Sequence, residues 1–346
     1  MTNLLGQTLQ QLQQLCEQEG FPRFVARQLC DWMYKKRVVD FDAMTNLSLK
    51  VRSRLAEIAY IHCPAPVAVQ TSVDGTKKYL FDTADDPHRP DTHADGRYVE
   101  CVVIPDGDRA TLCISCQRGC KMNCRFCVTG RQGFHGQLGV DQILMQAFAI
   151  PESTILTNIV YMGMGEPMDN LDAVLQSTQV LTADWGWQWS PRRITVSSVG
   201  VTPQVKRFLD ESECHLAISL HNPFPMQRVE LMPAERAYPI VGLVSLLRRY
   251  DWSGQRRLSF EYTLFRGVND SLTHAAELVR LLNGLRCRVN LIRFHESPEV
   301  ELRTSPDAAI AAFQNYLNSH GVTCTLRASR GQDIMAACGL LAGQRQ

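Results

Sequence analysis

The stretch Cys120-Lys121-Met122-Asn123-Cys124-Arg125-Phe126-Cys127 decides how the rest of the chain is read. Its CxxxCxxC spacing puts three thiols in one short segment, close enough to share a metal centre. A 4Fe–4S cube is normally closed by four cysteines. A triad leaves one iron free for another ligand. Zinc is the competing reading, because thiolates also build structural zinc sites. Those sites usually show two separated C-x2-C pairs, whereas this triad is compact and stands before a helix-like stretch. Cys120, Cys124 and Cys127 are therefore expected to hold an iron–sulfur cluster.

Outward from the triad, short apolar runs alternate with helical patterns. Strands are predicted at 111–115, 158–162, 194–197, 216–219, 258–262, 289–291 and 324–327. Helices are predicted at 140–149, 171–183, 203–210, 239–250, 271–285 and 306–320. That alternation makes the fold α/β with a parallel sheet, closed or partly closed into a barrel. Chemistry in such barrels gathers at the carboxyl ends of the strands.

Two smaller units precede the barrel. Apolar residues at Leu5, Leu9, Leu12 and Cys16 predict a helix over 3–19. Phe24, Ala26, Leu29, Trp32 and Met33 predict a second, and 48–58 a third. In this module Lys35, Lys36, Arg37 and Lys50 suit an RNA backbone, and plain packing is the equal alternative. Between Pro64 and Pro105 the apolar period falls to that of strands, with turns at Asp74-Gly75 and Asp106-Gly107. The expected division is a helical module over 1–62, a short antiparallel β extension over 63–108, and a barrel with a cysteine-bearing tail over 109–346. The loop 82–96 carries Asp85, Asp86, His88, Asp91, His93 and Asp95, read as acidic surface in preference to a metal site.

A chain of 346 residues with 45% hydrophobic content is globular and able to bury a core. No apolar run approaches the ~18 residues of a membrane span, and the first residues lack a signal-peptide pattern. Thirteen cysteines, clustered around 113–127, point to metal and redox work in a reducing cytoplasm. Net charge is only +1, but residues 240–295 hold nine Lys/Arg against four Asp/Glu. Arg248, Arg249, Arg256, Arg257, Arg286 and Arg288 belong to this stretch, a basic face or a set of solvated helix surfaces.

Three predicted strand ends offer ligand groups. In Tyr161-Met162-Gly163-Met164-Gly165-Glu166-Pro167, Gly165 allows close backbone approach and Glu166 can accept from an ammonium; a tight turn is the plain alternative. Ser197 and Ser198 end the next strand, and Ser219, Leu220 and His221 another. Hydroxyls and backbone groups at a common mouth suit ribose and carboxylate recognition, although any single serine is by default a helix cap. Cys113 ends the strand before the triad. Cys338 lies in the polar run Arg330-Gly331-Gln332-Asp333-Ile334-Met335-Ala336-Ala337-Cys338-Gly339, where a thiolate is plausible. Cys30, Cys63, Cys214 and Cys287 read as small buried hydrophobes.

Together with 217–223 (AISLHNP), 231–234 (LMPA) and 267–271 (GVNDS), these motifs resemble, in order and over nearly the whole chain, the RlmN/Cfr family of radical S-adenosylmethionine RNA methyltransferases. The chain departs from the family pattern at Cys116 and at His295. The resemblance implies a partial (β/α)6 radical-SAM barrel, a 4Fe–4S cluster and two S-adenosylmethionine molecules per turnover. The strand-end residues Gly165, Glu166, Ser197, Ser198, Ser219, Leu220 and His221 are expected to hold S-adenosylmethionine, and His295, although it departs from the family pattern, is expected to contact the adenosyl group. It further implies that Cys338 is methylated, that a radical formed on that methyl group adds to an adenine carbon, and that Cys113 then releases the product through a transient Cys113–Cys338 disulfide. Glu100 matches the family's general base. The implied partners are 23S ribosomal RNA, tRNA, or both, and a one-electron donor such as flavodoxin or ferredoxin, with the enzyme a cytoplasmic monomer. Carbon 2 of adenine is the expected target; carbon 8 is the alternative. From other classes, a non-catalytic RNA-binding iron–sulfur protein has no need of Glu100, Cys113 or Cys338, and a small-metabolite enzyme none of the helical module.

Overall fold

Between Leu258 and Leu264 the side chains alternate in character. Ser259, Glu261 and Thr263 are polar; Phe260, Tyr262 and Leu264 are apolar and buried. A strand sends successive side chains to opposite faces, so this strand has one oily face and one polar face. In the computed structural model, which describes residues 1–89, 96–298, 300–337 and 339–343, the oily face packs beneath helices and the polar face lines a central cleft.

The 10-stranded sheet runs in chain order. Its strands are β1 (Ala68–Thr71), β2 (Lys77–Asp82), β3 (Tyr98–Asp106), β4 (Arg109–Cys113), β5 (Asn158–Tyr161), β6 (Ile194–Ser198), β7 (His215–Ser219), β8 (Leu258–Leu264), β9 (Arg288–Arg293) and β10 (Cys324–Leu326). β1 to β4 pair antiparallel. Every pairing from β4 to β10 is parallel. Six parallel strands, β4 to β9, form the expected partial barrel, and β10 adds a short seventh at its edge. The β segment around 63–108 is more than a linker: β3 bonds to β4 in register from Val102 opposite Cys113 to Asp106 opposite Arg109.

Crossover helices cover the outer face: α4 (Val140–Phe148), α5 (Leu171–Thr182), α6 (Thr202–Glu211), α7 (Pro225–Leu231), α8 (Ile240–Leu247), α9 (Leu272–Leu282) and α10 (Asp307–Ser319). The amino-terminal module contributes α1 (Leu9–Gln18), α2 (Phe24–Cys30) and α3 (Leu49–Ile58). The first helix starts later than its apolar period suggests because Thr8 caps it. The Thr8 hydroxyl accepts from Gln11 N at 3.2 Å, and the Gln11 side chain accepts from Thr8 N at 2.7 Å. Asn3 instead joins a two-residue parallel pairing with Tyr60.

The module's basic residues are partly spent on packing. Arg37 donates to Ser153 Oγ at 2.8 Å and stands over the Trp187 ring at 4.7 Å. Lys35 and Lys36 lie 3.7 and 3.6 Å from Asp31. Within the acidic loop, Asp86 is buried and accepts from Tyr60 and Arg89, so its start is anchored; Asp91, His93 and Asp95 lie outside the described residues.

After β10 the chain crosses to the opposite edge of the sheet. Arg330 reaches Asp106 at 3.4 Å, and Gly331 N donates to Asp74 Oδ2 at 2.9 Å. Asp333 accepts from Ser72 Oγ at 2.5 Å and Val73 N at 3.1 Å. Further on, Gly339 O accepts from Val128 N at 2.8 Å, and Leu341 O accepts from Thr129 Oγ1 at 2.6 Å. This strap ties the tail to the turn Val128–Arg131, which directly follows Cys127.

Candidate active site

The lumen is a cleft of about 650 Å³. (β/α)8 barrels fill this space with branched apolar side chains. Here the inward positions include Thr195, Ser197, Glu261, Thr263 and Asn290, a wall that suits a polar ligand.

Cys120, Cys124 and Cys127 all line the cleft. Burial pushes their thiols up, that of Cys120 to about 12, and for Cys124 the other two thiols add to the effect. Thiolates become favourable there once a cation binds them, so the donor set fits a metal cluster. Among the described residues no three His, Cys, Asp or Glu side chains gather round one ion-sized point. A cubane needs no such gathering, because each of its thiolates binds a different iron.

Next to the triad, Gly165 has φ +101°, and an added Cβ would stand 2.5 Å from that of Gln117. Only glycine fits this crossing of two chains. Its neighbour Glu166 is buried yet lines the cleft. Its carboxylate accepts from Met168 N at 3.1 Å and Val199 N at 2.9 Å. Burial nevertheless raises its pKa to about 7, and a hydrogen bond from Ser198 only partly offsets this. An incoming ammonium would stabilise the charged form.

The other strand ends divide. Ser197, Ser219, His221 and His295 line the cleft. Ser198 and Leu220 are buried and stand behind the lining, Ser198 bracing Glu166 and Leu220 presenting its carbonyl to Arg228. His221 sits at φ +53° with Nδ1 accepting from Thr263 N at 2.9 Å. Burial, then the charge of Arg228, pull its pKa down to about 3, so the ring is neutral and carries its hydrogen on Nε2.

Three residues of this site were not singled out from sequence. Arg228 is fully buried and donates to the carbonyls of Leu220, Val199 and Ser219 at 3.0, 2.8 and 2.9 Å while pairing with Glu235. Asn269 donates to His221 O and Thr263 O and accepts from Phe265 N, at 2.6, 2.7 and 2.7 Å. Glu261 Oε1 accepts from Ser259 and Asn290 at 3.0 and 2.8 Å, whereas its buried Oε2 has no protein partner. A buried oxygen without a donor costs about 1–3 kcal/mol, so this wall suits a ligand bearing N–H or O–H groups. A charged residue in mid-strand was the available signal for Glu261. Arg228 bonds to the carbonyls of two different strand ends, which no local pattern marks, whereas Asn269 lies within the 267–271 motif, which was its signal.

Cys113 ends β4 and lines the cleft. Cys338 lies outside the described residues; its neighbours Ala337 and Gly339 line the same cleft. Glu100 stands behind the wall, buried, with Lys78 Nζ 3.1 Å from Oε1 and Ala342 N donating to Oε2 at 2.8 Å. Cys116 is buried beneath the site, its thiol pushed well up by burial.

The basic stretch contributes less than its composition suggests. Arg257 and Arg288 reach the cleft. Arg248, Arg256 and Arg286 donate instead to carbonyls of Leu281, Leu209 and Ser253. Arg109, Arg192, Arg293, Arg327 and Arg330, from other elements, complete the cationic lining.

Known proteins share this arrangement. Residues 2–61 match the ribosomal RNA large subunit methyltransferase N-terminal domain, and residues 114–279 the radical SAM superfamily. A probable dual-specificity RNA methyltransferase RlmN from Phocaeicola vulgatus is 54% identical, covering 100% of this chain and 96% of its own length. A dual-specificity RNA methyltransferase RlmN from Syntrophus aciditrophicus is 42% identical, covering 99% and 97%. The crystal structure of a radical SAM methyltransferase from Sphaerobacter thermophilus superposes with a TM-score of 0.89 at 38% identity, over 99% of this chain and 100% of that one. With both family models matched along it and relatives of this identity aligned over nearly its whole length, the chain belongs to the RlmN family of radical SAM RNA methyltransferases.

Proposed function

We propose that this enzyme methylates carbon 2 of adenine in RNA, with 23S ribosomal RNA and tRNA as substrates. The observation that carries the reading is the meeting, in one cleft, of the cysteine triad, Glu166, Cys113 and the two neighbours of Cys338. The relatives named dual-specificity RNA methyltransferase RlmN support the substrate, and the RlmN side of the family supports carbon 2 over carbon 8.

The family's 4Fe–4S cluster and S-adenosylmethionine supply, when bound, the one-electron chemistry that an electron-poor aromatic carbon demands. Cys120, Cys124 and Cys127 would hold the cluster. Glu166 would take the amino group of S-adenosylmethionine, and Ser197, Ser219, His221 and His295 the rest of that ligand. Neutral His221 offers a donor without adding a cation beside a sulfonium. Cys338 would carry the methyl group, and Cys113, facing the same space, would resolve the product by thiol attack.

For Glu100 both carboxylate oxygens are occupied, by Lys78 and by Ala342 N–H. Each oxygen keeps a second lone pair, so Glu100 would take a proton from the adduct while anchoring the strap at Ala342. The helical module over 1–62 would hold the RNA outside the barrel. No described helix is long and apolar enough to cross a membrane; we place the reaction in the cytoplasm, with a flavodoxin- or ferredoxin-type electron donor.

Nucleoside mass spectrometry of 23S ribosomal RNA and tRNA, with and without the gene, tests the reading. Loss of 2-methyladenosine is expected. Loss of 8-methyladenosine in its place would move the target atom, and no change in either would overturn the substrate.

A further inference from the structure

The cleft runs the full length of the strands. Its carboxyl-terminal mouth holds the thiols, and its amino-terminal mouth holds something different. His215 opens β7, is 7% exposed and lines the cleft. Its Nδ1 accepts from Arg257 N at 3.0 Å, so the neutral ring carries its hydrogen on Nε2. Around it stand the starts of the neighbouring strands. Thr195 of β6 is the register partner of His215, and Arg192 lies in the turn just before β6. Arg257 precedes β8, whose Leu258 pairs with Leu216; Arg288, the first residue of β9, pairs with Ser259. Arg192 and the loop before Arg257 are joined by a bond from Arg192 Nε to Gln255 Oε1 at 2.7 Å.

Arg192, Arg257 and Arg288 all line this mouth. Among the described residues none of them is paired with a carboxylate, unlike Arg256, which faces Glu213 at 3.7 Å. Glu261 lies farther in along the lumen wall, two residues past Ser259, the register partner of Arg288; its Oε1 is held by Ser259, Asn290 and Arg327, and none of its contacts is to the three arginines of this mouth. Three guanidinium groups and one buried neutral donor thus face a single opening, with no anion from the protein among them. Burial first, and then the charges of Arg257, Arg192, Arg256 and Arg288, hold the His215 pKa down to about 4. Guanidinium forks match phosphate oxygens in geometry as well as in charge.

We infer that the amino-terminal mouth of the barrel is a second binding site, built for a phosphate group, with Arg192, Arg257 and Arg288 as its cationic rim and His215 as its donor. The phosphate has two possible sources, a backbone phosphate of the RNA substrate or a free phosphate-bearing small molecule. Either would bind at the end of the lumen opposite the thiols.

The test is calorimetric titration of inorganic phosphate into the cluster-loaded protein, at ionic strength held constant with sodium chloride so that screening does not vary. Saturable binding is expected in the wild type, weakened tenfold or more in R257Q/R288Q and within about threefold of wild type in R257K/R288K, which keeps the charge. Binding that is not saturable, or equal binding by R257Q/R288Q, would overturn the site. This readout does not depend on methyl transfer, so the site can fail while the proposed reaction stands. A second arm separates the sources. If RNA supplies the phosphate, inorganic phosphate raises the KM for RNA in the wild type and not in R257Q/R288Q. If a small molecule supplies it, the KM for RNA is the same with and without phosphate in both proteins.

Discussion

The two mouths of the lumen are built from the same strands by opposite means. At the carboxyl-terminal mouth Glu166 and His221 are buried, and the strand ends that carry the site are fixed by hydrogen bonds from Arg228 and Asn269 to their carbonyls. At the amino-terminal mouth the arginines are exposed and only His215 is buried. Chemistry needs preorganised groups held to a fraction of an ångström. Capture of a charged partner needs charge and reach, which long exposed side chains supply. Substitutions at the first mouth should therefore cost activity or folding outright, and those farther from it progressively less.

The largest effect is expected for Cys124→Ala: iron and sulfide content should fall to background and methylation with it. Full iron content in this variant would refute the cluster assignment. Cys338→Ala should abolish methyl transfer with iron content unchanged, and Cys113→Ala should accumulate a covalent protein–RNA adduct, seen as an RNA-dependent shift on denaturing gels; free turnover by either would refute its role.

Arg228→Met leaves Glu235 buried without its partner and should destabilise the fold by about 3–5 kcal/mol in denaturant titrations. A loss under 1 kcal/mol would show that the arginine does not hold the strand ends together. Glu166 sharpens the comparison through pH. Its pKa is raised to about 7 by burial, and the ionised form is the one that accepts an ammonium. Affinity for S-adenosylmethionine should hold above about pH 7 and weaken by about tenfold per unit below it. Glu166→Gln should bind weakly with that dependence gone; a flat wild-type profile would remove Glu166 from the site. The smallest effect belongs to the helical module, where Arg37→Ala should lower stability by about 0.5–1 kcal/mol through its lost Trp187 contact.

The parallel strands were legible from apolar runs alone, because each carries one continuous oily face, as in Phe260, Tyr262 and Leu264. Helix starts were less so: Thr8 sets the first helix, and Leu5, upstream in the apolar period, lies in a turn. Cys120, Cys124, Cys127 and Glu166 stood out because their motifs are local in sequence. The arginine stretch misled in part, since composition says nothing about register; Arg288 faces the lumen, while Arg286, two residues earlier, donates to Ser253 O across a surface loop. Ser198 and Leu220 were expected at the ligand and stand one layer behind it, because alternation sends every second residue of a strand away from the lumen.

The strap has a consequence for how the enzyme is made. It is translated after every strand it bridges, and domains form largely as their chains emerge from the ribosome. The strands that flank the cysteine triad can thus pair before the strap reaches across to Val128 and Thr129. Metal loading would then take place in an open vessel, which the strap closes only afterwards.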